Sequence, residues 1–92
     1  MSVVKNINKF KSFITKNGVG SNDVVSDSVR SYLTYIKQTA KHTQIEINSD
    51  SLNSSSDIDD FVQELKLSGK VSKKTITNYT SAMKQYVKMV NS

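Results

Sequence analysis

Apolar residues recur at helical spacing in four stretches of the chain, separated by short polar breaks. Val3, Ile7, Phe10 and Ile14 are spaced 4, 3, 4, and Val4 and Phe13 widen the stripe. That is the periodicity of an amphipathic helix. It predicts a helix over about 3–16, stopped by Asn17-Gly18, both tolerant of the left-handed conformation at a helix end. A second stripe runs Val25, Val29, Tyr32, Ile36, widened by Leu33 and Ala40, and predicts a helix over about 24–41. Any of Ser21, Asn22 and Asp23 can cap it, with Ser26 a later candidate. From Thr43 to Ser56 no helical period survives. Gln44-Ile45-Glu46-Ile47 alternates, but one such fragment makes no sheet, so this stretch reads as a loop with a short turn near Leu52.

The third helix, about 57–67, starts after Ser56, with Asp59 placed to reach back in a capping box and Gly69 as its stop. Asp57, Asp59 and Asp60 then fall in the first turn, where they suit the helix dipole. Its core positions are Ile58, Phe61, Val62 and Leu65. The fourth helix, about 73–90, has Ser72 as cap and Val71 positioned to staple onto Ile76. Its stripe is Ile76, Tyr79, Met83, Tyr86 and Val90, with Thr80 and Val87 alongside. No repeat or second domain is visible, so residues 1–92 read as one all-α, four-helix unit packed as a small orthogonal bundle.

Composition narrows the chemistry. The chain has 92 residues and no cysteine, which excludes disulfides, thiolate metal sites and a cysteine nucleophile. No apolar run approaches the ~20 residues of a membrane span, and nothing at Met1 reads as a secretory signal. The net charge of +5 is unevenly distributed. Residues 1–41 carry +5, residues 42–65 carry six acids and no Lys or Arg, and residues 66–92 carry six lysines and no acid. One basic and one acidic side follow, and the basic side favours an anionic partner.

Two basic rows emerge from helical spacing. Arg30, Thr34, Lys37 and Lys41 recur at 4, 3, 4 on the second helix, about 16 Å end to end. Lys74, Thr77, Ser81, Lys84 and Lys88 recur at 3, 4, 3, 4 on the fourth, about 21 Å. Lys and Arg neutralise phosphates, Ser and Thr hydroxyls can donate to them, and Asn78 and Gln85 could address adenine edges. Lys73 and Lys74 also flank the amino end of the fourth helix, where free N–H groups favour a phosphate. Equally, such rows are the ordinary solvated faces of lysine-rich helices.

Other residues carry less. Tyr32, Tyr79 and Tyr86 lie on apolar stripes and read as core, while Tyr35, off its stripe, could touch a partner. His42 stands alone at a helix end, without companions at metal-ligand spacing. The Asp57–Asp60 cluster lacks the glycine and terminal glutamate of a calcium loop. No paired catalytic groups, glycine-rich loop, metal or cofactor site is visible.

The segment Val71-Ser-Lys-Lys-Thr-Ile-Thr-Asn-Tyr-Thr-Ser-Ala-Met-Lys-Gln-Tyr-Val-Lys-Met-Val90 resembles the last helix of the N-terminal core-binding domain of tyrosine recombinases, the phage integrases. Val29-Arg-Ser-Tyr-Leu-Thr-Tyr-Ile36 resembles that domain's second helix, and Ser56-Asp-Ile-Asp-Asp-Phe-Val-Gln-Glu-Leu65 its third. Similar modules are fused to some restriction-type nucleases. The resemblance spans nearly the whole chain, mostly through helix-core positions. It implies an integrase N-terminal (SAM-like) fold and one half of a clamp around double-stranded DNA. It also implies a separate or fused catalytic domain as a further partner, and a bacterial, cytoplasmic setting at the nucleoid when bound. The family's chemistry requires several arginines and histidines, whereas this chain has one of each, so the resemblance implies binding without cleavage. The competing expectation is a protein-interaction module, self-associating or docking onto a larger DNA-processing enzyme through an exposed apolar patch around Ile45, Ile47 and Leu52.

Overall fold

The computed structural model describes residues 4–17 and 25–91. Four helices make up the fold: α1 (Ile7–Asn17), α2 (Val25–Thr43), α3 (Ser55–Ser68) and α4 (Lys73–Val90). Among the described residues, the extended backbone pairing is a single isolated bridge, Val4 with Ile47. The proposed caps of α2 between Ser21 and Asp23 lie outside the described residues, as do Val3 and Gly18.

The described residues have a radius of gyration of 12.2 Å, close to the ~12 Å of a compact chain this long. Helices α2 and α4 are both central, each packing against the other three, while α1 and α3 make no contact among the described residues; among those residues the largest share of buried side chains comes from α4. Its Ile76, Tyr79, Ala82, Met83, Tyr86 and Met89 are buried, as the 3.6-residue period requires. Phe10 and Ile14 of α1, Val29, Ile36 and Ala40 of α2, and Ile58, Phe61 and Leu65 of α3 close around them. Phe10 meets Tyr86 with ring centroids 5.5 Å apart.

Helix α1 starts at Ile7 rather than at residue 3. Asn6 adopts φ 61°, a left-handed conformation that asparagine tolerates better than most residues, and this turns the chain before the helix. Val4 lies instead beside Ile47, and the Lys5 N–H donates to the Ile47 carbonyl at 2.7 Å. The Tyr86 hydroxyl adds a 2.8 Å bond to the Lys5 carbonyl, tying this strand-like entry to α4.

The start of α3 also moves. Ser54, not Ser56, is the cap: its hydroxyl accepts from the Asp57 N–H. Asp57 reaches back to the N–H of Asn53 at 3.0 Å. Asp57 is therefore the acid of the first turn, and Asp59 and Asp60 are exposed beyond it. Two end signals hold: Gly69 ends α3 at φ 65°, and Ser72 caps α4 through the Thr75 N–H. Replacing Ser54 with alanine should lower unfolding free energy in urea by about 1 kcal/mol. Ser56→Ala should change it by less than about 0.5 kcal/mol, since Ser56 is an exposed helical residue.

The stretch between α2 and α3 is a loop with a turn before Leu52, whose N–H bonds the Asn48 carbonyl. Its apolar residues are not exposed, which corrects the expected interaction patch. Ile47 and Leu52 are fully buried, and Ile45 packs half-buried against the core. Backbone needs inside the loop are met locally. The Asn48 side-chain oxygen accepts from the N–H groups of Asp50 and Ser51, and the Ser51 hydroxyl donates to the Glu46 carbonyl. A loop satisfied in this way can turn its aliphatic side chains inward without stranding polar groups.

Candidate nucleic-acid interface

On α2, Arg30, Thr34, Lys37 and Lys41 are all exposed, as one row of a helix should be. On α4, Lys73, Lys74, Thr77, Lys84 and Lys88 are exposed, and Asn78, Ser81 and Gln85 are half-buried. None of these cations makes an ion pair among the described residues. The ion pair found there, Lys5 with Glu46 at 3.8 Å, lies elsewhere. The acids of α3 thus leave the two rows uncompensated.

The hydroxyls behave differently from the cations. Thr34 donates to the Arg30 carbonyl, Thr77 to that of Lys73, and Ser81 to that of Thr77. Each proton is therefore engaged one turn back along its own helix. Donation to a phosphate requires the side chain to rotate first, so the lysines and Arg30 are the immediate phosphate groups.

The two rows do not share one groove. The side of α2 that meets α4 carries Tyr35 and His42, whose rings lie 6.0 and 6.3 Å from that of Tyr79. At ~100° per residue the α2 row lies roughly 120° round from them. What the fold does bring together is the α3 flank of the α4 row. Lys73, Thr77, Ser81 and Lys84 line an open groove of about 660 Å³ with Lys66 of α3. Its floor is Val62, Val71, Ile76 and Thr80. Lys66 was not among the sequence candidates; its only signal was membership of the acid-free run after residue 65. Lys74, Lys88, Asn78 and Gln85 do not line this groove.

No family model, curated protein or solved structure matches the chain. The site is therefore argued from its own chemistry. Among the described residues, no helix is long and apolar enough to cross a membrane, and no three His, Asp or Glu side chains are grouped to hold a metal ion.

Tyr35 and His42 are both half-buried. Tyr35 sits between Tyr32 and Tyr79, and the His42 ring stacks on Tyr79. Burial raises the Tyr79 pKa above its ordinary 10.0, and neighbouring Tyr35 raises it further. Burial also raises Tyr86; a hydrogen bond with Asn6 acts the other way, and the Glu46 carboxylate raises it. A folded pKa above the unfolded one means stability is intact below pH ~10 and falls as pH rises beyond it. Urea midpoints should thus hold to about pH 9.5 and drop above pH ~10. Tyr86→Phe should flatten part of that drop.

Proposed function

We propose that this chain is a non-catalytic module that binds double-stranded DNA, chiefly through phosphates, by means of α2 and α4. The supporting observation is the pair of exposed cation rows, Arg30-Lys37-Lys41 and Lys74-Lys84-Lys88, with no anion paired to them among the described residues. In this reading the four helices form a small orthogonal bundle of the integrase core-binding, SAM-like type. It grips the phosphate backbone, and strand chemistry belongs to a separate or fused catalytic domain. The acidic stretch 42–65 turns the basic surface toward the DNA by repulsion. The interaction-module alternative loses its expected surface, because Ile47 and Leu52 are core residues.

An isolated half-clamp should bind in the ~10⁻⁴–10⁻⁶ M range of non-specific complexes. Fluorescence anisotropy of a labelled duplex of about 20 base pairs tests this. Binding that weakens steeply with salt is expected. No binding at ~100 μM protein in low salt would overturn the proposal.

A further inference from the structure

We propose that the groove between α3 and α4 docks an acidic amphipathic helix of a partner protein. The inference does not rest on DNA binding, although Lys73 and Lys84 belong to both surfaces.

The floor of the groove is aliphatic: Val62 from α3, Val71 from the connection, and Ile76 from α4. Thr77 and Thr80 add methyl groups to it. Their hydroxyl protons go to the Lys73 and Ile76 carbonyls, so they offer an occupant methyl carbons and oxygen lone pairs rather than O–H donors. Ser81 likewise donates to Thr77. Around this floor stand the ammonium groups of Lys66, Lys73 and Lys84, exposed and without an ion-pair partner among the described residues.

A DNA backbone is a poor match for that combination. Protein–DNA interfaces are polar and donor-rich, and an aliphatic floor leaves phosphates unserved. An amphipathic helix matches both parts. Its aliphatic anchors at i, i+3, i+4 and i+7 cover the floor, and carboxylates flanking that stripe meet the three lysines. Length fits as well. Lys84 lies eleven positions after Lys73 along α4, about 16 Å, or three turns of a docked helix.

The probe is a labelled synthetic peptide with leucines at i, i+3, i+4 and i+7 and glutamates beside them. Its control has the same composition with leucines scattered around the helix. Anisotropy should show saturable binding of the first and about tenfold weaker binding of the second. Methyl NMR shifts should concentrate on Val62, Val71 and Ile76. Val62→Thr should weaken the peptide about tenfold yet leave duplex affinity within about twofold, because it makes the half-buried groove floor polar without altering any charge. Equal affinity for the two peptides would reduce the effect to bulk charge and overturn the proposal. So would shifts of the groove methyls by the duplex instead of the peptide, or no peptide binding at all. Failure of duplex binding alone would leave it intact.

Discussion

Replacing Leu52 with alanine should lower the melting temperature by roughly 15 °C. Leu52 is fully buried, although it sits in a loop without helical period. Truncating a buried leucine costs about 3 kcal/mol, part lost transfer energy and part cavity. A domain of this length has only ~5–14 kcal/mol in total. At ~4–8 °C per kcal/mol the melting temperature then falls by the amount stated. Leu67→Ala is the control: Leu67 is 77% exposed, and the change should stay within about 0.5 kcal/mol. Thermal unfolding followed by far-UV circular dichroism separates the two. Similar small shifts for both would mean that the loop does not close the core.

Ile47 and Leu52 also mark where sequence reasoning stopped. Helices α2, α3 and α4 were legible because burial of one face imposes a 3.6-residue period that any reader of the chain can see. Gly69 and Ser72 were legible because their conformational roles are local. The start of α3 was not, because Ser54, Ser55 and Ser56 offer equivalent hydroxyls. The choice falls to the Asp57 carboxylate, which reaches the Asn53 N–H. Val4 was absorbed into the α1 stripe by its spacing, yet its partner is Ile47, forty-three positions away. Leu52 has no periodic neighbour to announce it, and it is buried within a loop whose polar groups are met by the Asn48–Ser51 bonds.

The candidate site divides along the same line. Exposure of each basic row follows from helical geometry, and the structure places those cations on the surface. Which row lies beside which helix is a tertiary fact. Lys66 reaches the α4 lysines only because α3 packs alongside α4, and no local spacing contains that pairing.

Reversing Lys84 and Lys88 together to glutamate should abolish retardation of a DNA duplex while leaving the helical circular dichroism spectrum unchanged. Both side chains are exposed, so the fold does not depend on them. If Arg30, Lys37, Lys41, Lys74, Lys84 and Lys88 each neutralise one phosphate, log K falls with log salt at a slope of about −5. Affinity then drops roughly 10³-fold between ~50 and ~200 mM salt. Removing two contacts cuts the slope to about −3.6, and the two new carboxylates repel the phosphates they replace. On a starting affinity already near 10⁻⁵ M, those losses carry binding out of reach. Lys37→Glu with Lys41→Glu applies the same change in charge to α2. Equal losses from the two double variants would place both rows on the duplex. Loss from the α4 pair alone would confine the grip to α4 and leave the α2 row as a solvated face. Retention by both would show that the phosphates are held elsewhere, and the proposed grip would fail.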